Sequence, residues 1–371
     1  MNLIATAAFG LEALVKDELL ELGFSDAKCL DNRVEFSSDD FSYAVAKANI
    51  WLRCADRVLI MLGRFTATTY EELFEQTKAL PWDEWIAKDG KFTVTGKSVR
   101  SGLYSVPDVQ SIVKKAVVEK LKTKYKIEWF AETGAEYTIQ VSLLKDVATL
   151  TIDTTGSGNG LHKRGYRARS TKAPLKETMA AALIKLSKYN KSKPFYDPCC
   201  GSGTLPIEAA LMAKNIAPGL SRKFAAEKWK NVSAAAWKEA RREAFANIKQ
   251  DAEPIIHAAD ICPEAIELAK QNAELAGVDD CIEFFTQPLS KTTLPTDWGI
   301  AIVNPPYGER LGEVKQAEAL YAELGRIFGL TKWNVYVLTP DEFFETAYKK
   351  KARAKRKLFN GMIKTDYYQF F

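Results

Sequence analysis

The chain has 371 residues but only two histidines, His162 and His257, and none of its six cysteines (Cys29, Cys54, Cys199, Cys200, Cys262, Cys281) forms a CxxC pair. That leaves neither a metal-ligand set nor a disulfide framework, and it fits a reducing, cytoplasmic setting. No apolar run approaches the roughly 18 residues a membrane helix needs, so no membrane partner is expected. The start, Met1-Asn-Leu-Ile-Ala, carries no basic region and soon meets Glu12, Lys16 and Asp17, unlike a signal peptide. The length exceeds one ordinary domain, so two or three are expected.

Charge is nearly balanced at a net +5, yet it is unevenly spread. From Lys349 to Lys357 seven of nine residues are basic, and a second cluster comprises Lys163, Arg164, Arg167, Arg169 and Lys172. An isolated basic run is usually a solvated face. Two of them flanking a candidate catalytic module point instead to a polyanionic partner.

In the first half, strands at Asn2–Thr6, Arg33–Ser37, Arg57–Phe65, Lys91–Val99, Glu136–Leu144 and Val147–Asp153 alternate with helices at Leu11–Leu22, Asp40–Asn49, Tyr70–Ala79 and Pro107–Lys122. This is α+β without a glycine-rich phosphate loop, and nothing in it reads as catalytic. Thr154-Thr-Gly-Ser-Gly-Asn-Gly160 is the strongest linker signal, placing a boundary near residue 160. Ala173-Pro174 then opens a good helix, with proline suited to its first turn.

The second half carries the chemistry. Pro194-Phe-Tyr-Asp197 ends a short strand, and Pro198-Cys-Cys-Gly-Ser-Gly-Thr204 leads into a helix at Leu205–Lys214. An acid at a strand's carboxyl end, then Gly-x-Gly and a helix, opens a nucleotide-binding α/β unit. Pro206 stands where the dinucleotide fingerprint needs its third glycine, which argues against NAD or FAD. A lone Gly-x-Gly is equally a tight turn packed on a helix. A second acid, Asp260, ends the strand Ile255–Asp260 before a helix from Pro263 to about Ala276. In this architecture that position grips ribose hydroxyls, although a helix cap is the plain alternative. Its long separation from the glycines reflects a helical insertion expected over 215–250, with Trp229 and Trp237. Strands at Ile282–Thr286, Trp298–Val303 and Trp333–Thr339 follow, and Lys357–Phe359 and Lys364–Phe371 flank the hairpin-type turn Asn360-Gly361. Five parallel strands plus the terminal antiparallel pair predict a seven-stranded sheet, with Asp197, Asp260 and Asn304 all at strand carboxyl ends.

The strand Trp298–Val303 ends in Asn304-Pro305-Pro306-Tyr307. Two prolines remove two backbone donors and push the preceding residues out of helical geometry, giving a stiff extended turn with unpartnered carbonyls. Such a turn suits an amino group, and an aromatic ring beside it suits a flat substrate. Beside an adenosyl-cofactor site, it predicts an amino-group methyltransferase. The turn alone does not choose between a base and a glutamine, or between DNA and RNA.

The order Asp-Pro-x-Cys-Gly-Ser-Gly-Thr, Asp260, Asn-Pro-Pro-Tyr resembles the Rossmann-fold methyltransferases that use S-adenosylmethionine. The strings Leu161-His-Lys-Arg-Gly-Tyr-Arg167, Ala173-Pro-Leu-Lys-Glu-Thr178 and Asn304-Pro-Pro-Tyr-Gly-Glu-Arg-Leu311 resemble the THUMP-containing guanine-N2 methyltransferases of 23S ribosomal RNA, the RlmL type. The resemblance implies an α/β protein whose C-terminal Rossmann-like seven-stranded methyltransferase sheet follows an α+β ferredoxin-like and THUMP RNA-binding region. The implied domains are 1–65, ferredoxin-like; 66–158, THUMP; and 159–371, methyltransferase. It further implies 23S rRNA, or a ribosomal assembly intermediate, as partner. A transfer-RNA guanine, a DNA amino group and a protein glutamine are the alternative substrates.

Carried over to these positions, the family's cofactor residues fall on Asp197, Cys200, Gly201, Gly203, Thr204, Asp260 and Thr178, and its catalytic ones on Asn304, Pro305, Pro306 and Tyr307. The family's acid after the third strand is absent; Phe285-Thr286-Gln287-Pro288 stands there, so Gln287 is the candidate adenine contact. Glu309 and Arg310 read as rim or structural residues.

Overall fold

The computed structural model describes residues 1–167, 175–307 and 311–371, without the side chains of 311–314. Arg169, Lys172, Ala173, Pro174, Gly308, Glu309 and Arg310 lie outside the described residues, as does the side chain of Leu311. The chain forms two compact units: Met1–Ala7, Val15–Leu161 and Arg222–Glu243 make the first, and Ala8–Leu14, His162–Ser221 and Ala244–Phe371 the second.

In the first unit the elements run β1 (Asn2–Ala7), α1 (Glu12–Glu21), β2 (Lys28–Leu30), β3 (Arg33–Ser37), α2 (Phe41–Trp51), β4 (Ala55–Thr66), α3 (Tyr70–Ala79), α4 (Trp82–Trp85), β5 (Lys91–Val99), α5 (Val106–Tyr125), β6 (Glu136–Leu144) and β7 (Val147–Asp153). One seven-stranded sheet, in order β2-β3-β1-β4-β7-β6-β5, joins them. The 12-residue β4 makes this possible. Its start pairs with β1 through Ala55 to Ile60, and its end pairs with β7 through Leu59 to Thr66. The sheet therefore runs unbroken across residue 65. Two elements escape the sequence pattern. The three residues of β2 are all exposed and carry no apolar alternation, and α4 is a single turn. The start of α3, by contrast, is written locally: Thr69 and Glu72 form a capping box, each side chain accepting from the other's backbone N–H.

Thr154–Gly160, expected as a linker, is a bonded turn. Thr154 and Thr155 are fully buried. Thr154 donates through its hydroxyl to the Val58 carbonyl at 2.6 Å and accepts from the Asn49 amide at 2.8 Å. Arg57 pairs with the buried Asp153 and donates to the Gly156 carbonyl at 2.8 Å. The glycines here serve positive φ, +113° at Gly156, rather than slack.

After β7 come α6 (Glu177–Leu186), β8 (Phe195–Asp197) and α7 (Thr204–Ala213) of the second unit, then α8 (Ala234–Ala246), most of which returns to the first, and the second unit resumes with β9 (Ile256–Asp260), α9 (Pro263–Ala276), β10 (Ile282–Thr286), β11 (Trp298–Val303), α10 (Leu311–Phe328), β12 (Lys332–Thr339), α11 (Phe344–Tyr348), β13 (Ala354–Asn360) and β14 (Ile363–Phe370). Its sheet has the order β10-β9-β8-β11-β12-β14-β13. The first five strands are mutually parallel, and β14 inserts antiparallel against β12. Strand β13 begins at Ala354, inside the basic run rather than after it as the sequence reading had it. An aromatic core, Tyr321 and Phe328 of α10 with Phe344 and Tyr348 of α11, packs on Val335, Val337, Tyr368 and Phe370.

Much of the insertion after α7, Arg222–Glu243 including most of α8, belongs to the first unit. Trp229 stacks on Tyr137 with ring centroids 4.9 Å apart, and its indole N–H donates to the Glu136 carbonyl at 3.0 Å. Trp237 stacks on Phe224 at 5.3 Å. Both indoles are almost fully buried, so the insertion is part of that unit's core and not a surface ornament. Trp229→Ala is expected to lower the stability of the first unit by about 3–5 kcal/mol, the usual loss for emptying so large a buried site. Denaturant unfolding followed by intrinsic fluorescence measures it, and an unshifted midpoint would refute the assignment.

Candidate active site

Strand lengths create a recess at the carboxyl edge of the second sheet. Asp197, the last residue of β8, is level with Ala258 of β9, and the preceding Tyr196 is level with Ala301 of β11. Both neighbours run on, β9 to Asp260 and β11 to Val303. The floor of the recess is therefore β8 and its walls are the ends of β9 and β11. This is also where the chain's direction of travel through the sheet reverses, from β8 outward to β10 and back to β11. Ligands in open parallel sheets bind at such switch points.

Two carboxylates stand here. Asp197 is only 1% exposed, and one of its oxygens accepts from the Cys199 N–H at 3.1 Å. Burial pushes its pKa well up from the ordinary carboxylate range, and the nearby charge of Asp260 adds to the rise. Asp260 accepts from the Gly201 N–H at 2.9 Å and the Cys262 N–H at 3.0 Å. No lysine or arginine pairs with either acid among the described residues. A buried carboxylate without a cation is costly, and a positive or donor-rich ligand would offset that cost.

The glycine loop is shaped by its own bonds. The Cys200 N–H donates to the Ala259 carbonyl and the Gly203 N–H to the Cys200 carbonyl, both at 2.9 Å. Burial and the neighbouring acids raise the Cys200 thiol well above its usual range, so it is an unreactive filler. A side chain at Gly203 would meet the Ala269 Cβ at 3.0 Å, at a φ of +83°. Only glycine lets the loop lie this close to α9. Gly201, at φ +53°, faces open space.

Thr204 opens α7, and Thr178 is buried in the first turn of α6. Arg167 ties these two helix starts together. It donates to the Thr204 hydroxyl at 2.6 Å and to the Leu175 carbonyl at 3.1 Å, and it lies 3.3 Å from the Glu177 carboxylate. Arg164, fully buried, pairs with Glu208 at 3.2 Å, and the Tyr166 hydroxyl donates to the same carboxylate. This corrects the sequence reading of the first basic cluster. Arg164 and Arg167 are internal ion-pair partners, and of the cluster's described residues only Lys163 is exposed. Nothing in the spacing of Leu161–Arg167 separates buried arginines from RNA-facing ones.

Asn304 follows β11 on the recess wall, with Pro305 buried, Pro306 exposed and Tyr307 half-buried. The Tyr307 hydroxyl donates to Asn304 Oδ1 at 2.7 Å and accepts from the Asn360 side-chain amide at 3.2 Å. Burial pushes the Tyr307 phenol up to about 12, so it remains a donor at any working pH. Asn360 was legible in the sequence only as a turn residue; its place beside Tyr307 is a tertiary fact. Gln287 follows the end of β10, its N–H donating to the Asp260 carbonyl at 3.0 Å.

A parallel sheet in this strand order, with acids ending β8 and β9, a glycine loop between β8 and α7, and Asn-Pro-Pro-Tyr ending β11, defines a methyltransferase. Residues 164–369 match the RMKL-like methyltransferase domain, residues 67–153 the THUMP domain and residues 2–59 the RlmL ferredoxin-like domain. The chain belongs to this family of RMKL-like methyltransferases. It is 50% identical to YpsC of Bacillus subtilis (strain 168), described as a "putative RNA methyltransferase", over all of this chain and 96% of that one. It is 35% identical to the ribosomal RNA large subunit methyltransferase K/L of Vibrio cholerae (strain O395), over 87% of this chain and 46% of the relative, and so spans about half the length of that relative. The crystal structure of SMU.472 complexed with SAH superposes with a TM-score of 0.92 at 43% identity, covering all of this chain and 97% of the other.

The cofactor of such enzymes is S-adenosylmethionine, and the recess fits it. The cofactor carries an ammonium, a sulfonium and two ribose hydroxyls, cations and donors that the carboxylates of Asp197 and Asp260 can accept from.

The raised pKa of Asp197 makes a prediction about the cofactor-free protein. A carboxyl whose folded pKa lies above its unfolded value contributes stability that is full below the unfolded pKa and lost as pH rises through the folded one. Asp197→Asn should therefore melt higher than the parent at pH 8, with the gap closing as pH falls into the ordinary carboxylate range. Melting curves that differ by the same amount at every pH would contradict the assigned burial strain.

Proposed function

We propose that this chain transfers a methyl group from S-adenosylmethionine to the exocyclic N2 amine of a guanine in 23S ribosomal RNA, in the cytoplasm. The observation that supports the chemistry is that Asn304-Pro305 follows the end of β11, beside the shorter β8 that ends in the buried Asp197. The choice of ribosomal RNA is supported by the K/L relative and by the match to a THUMP domain.

In this reading Asp197, with the loop of Cys200, Gly201, Gly203 and Thr204, holds the methionine portion of the cofactor, and Asp260 holds the ribose. Gln287 and the exposed Ile261 beside Asp260 offer the adenine a polar edge and an apolar face. Thr178, buried at the start of α6, lies in the segment that contacts the cofactor. When bound, the cofactor supplies an electrophilic methyl on a positively charged sulfur.

The remaining work falls to the turn. The guanine amine is a poor nucleophile because its lone pair is delocalised into the ring. Asn304 Oδ1 and the Pro305 carbonyl accept its two protons, which favours a pyramidal nitrogen with a localised lone pair. A side-chain carbonyl has two lone pairs, so Asn304 can accept from the amine while Tyr307 still donates to it. The Tyr307 ring stacks on the base. With the cofactor held there, the nitrogen lone pair would take up the methyl, the C–S electron pair would stay with sulfur as a neutral thioether, and the surplus proton on the methylated nitrogen would pass to solvent water. Alignment supplies much of the rate, and no strong base is needed. A paired guanine reaches this pocket only by being flipped out of its helix.

Asn304→Ala should retain cofactor affinity within about twofold by calorimetry and lose at least about 100-fold in turnover, the scale set by removing one group that stabilises a transition state. Unchanged turnover would remove Asn304 from the mechanism. Labelled methyl transfer to 23S rRNA, transfer RNA and DNA from a strain lacking this protein, followed by nucleoside analysis, tests the substrate. N2-methylguanosine in 23S rRNA is expected; label in transfer RNA, DNA or another nucleoside would replace that assignment.

A further inference from the structure

The β13–β14 hairpin reaches past the sheet and ends at the mouth of the site. Asp366 of β14 pairs with Thr339, the last residue of β12, so residues 363–365 of β14 lie beyond the carboxyl edge. At about 3.3 Å per residue that overhang is about 10 Å. Asn360, at the turn, donates to the Tyr307 hydroxyl at 3.2 Å, which fixes the hairpin tip as a lip of the amine pocket.

This lip is apolar and uncovered. Met362 is 99% exposed, Ile363 43%, Phe359 37% and Phe9 54%. Phe9 is held there deliberately: its ring meets Phe359 edge-on with centroids 6.1 Å apart, and the neighbouring Gly10 carbonyl accepts from Arg356 at 2.5 Å. Lys364 pairs across the hairpin with Phe359, and Lys357 stands two residues before it. Both lysines are exposed and make no ion pair among the described residues. An apolar cluster with unpaired cations beside it matches a nucleic-acid strand, where bases stack and phosphates need neutralising.

We propose that this hairpin tip, with Phe9, is the platform on which the RNA flanking the target nucleotide docks, and that Met362 enters the stack where the flipped base has left. The proposal rests on the RNA reading above. Extruding a base leaves an unstacked gap, and exposed apolar side chains, methionine among them, are the usual wedges. Because Asn360 bonds to Tyr307, docking on the tip also sets the ring that faces the base. Asn360 thereby acts as a positioning residue.

The test uses the full chain and 23S rRNA from a strain lacking this protein, with binding measured over a range of salt and methyl transfer measured separately. Calorimetry with S-adenosylhomocysteine and thermal melting should be unchanged in Met362→Ala, Met362→Leu and the double variant Lys357→Gln/Lys364→Gln. Met362→Ala should lose about 10-fold in kcat/KM for RNA, the scale of one lost stacking contact, while Met362→Leu stays near the parent. The double lysine variant should lower the slope of log affinity against log salt by about 1.4. Parental kcat/KM in Met362→Ala together with a parental slope in the double variant would overturn the proposal. So would defects seen on ribosomal particles but absent on naked rRNA, which would make the tip a protein-docking surface. If the parent methylates a base other than guanine, the base assignment fails while the same variants still decide the platform. If the parent does not bind rRNA at all, both readings fail.

Discussion

The second unit depends on one difference in strand length. A three-residue β8 lies between neighbours that continue beyond it, and the recess this leaves is the site. Parallel pairing fixes the register, so Asp197 cannot rise to the rim and Asp260 and Asn304 cannot sink to the floor. The central strand is short yet wholly buried. The carboxylate at its end is buried with one backbone N–H bonded to it, and that burial raises its pKa.

Around that recess the fold spends its charged residues inward. Arg164 with Glu208, and Arg167 with Glu177 and Thr204, bind the segment entering the second unit to the starts of α6 and α7. Buried ion pairs of this kind add little net stability compared with apolar packing, but breaking one partner leaves an uncompensated charge. Their effect is to hold the glycine loop and its two flanking helices in one arrangement. Residues that look like a nucleic-acid footprint are thus part of the scaffold around the glycine loop. The outward cations on the hairpin tip are few and local by comparison.

Much of this was legible in the residues. The strands at Lys91–Val99, Glu136–Leu144 and Val147–Asp153 and the helix at Tyr70–Ala79 have the ends the sequence pattern gives them. Chemistry confined to short strings was legible too: Asp197 with its glycines, Asp260, and Asn304-Pro-Pro-Tyr each sit next to a strand end that the sequence marks. What was not legible depends on partners distant in the chain. The Thr154–Gly160 turn has the composition of a linker, but its threonines bond to Asn49 and Val58 across the sheet. The two tryptophans of the insertion read as helix residues, although one packs on Tyr137 of β6, almost a hundred positions away.

The sequence by itself determined most of the elements and which short strings end their strands, because both are governed by spacing and local backbone chemistry. Only the tertiary structure decided which charges face solvent, which glycines are strained rather than slack, and which turn closes on the pocket. Those outcomes follow from burial and long-range hydrogen bonding. Two arginines three residues apart look alike in a string to a pair facing RNA, until Glu208 and Glu177 are found beside them. Asn360 likewise becomes part of the site only when β14 folds back against β12 and brings its turn to Tyr307.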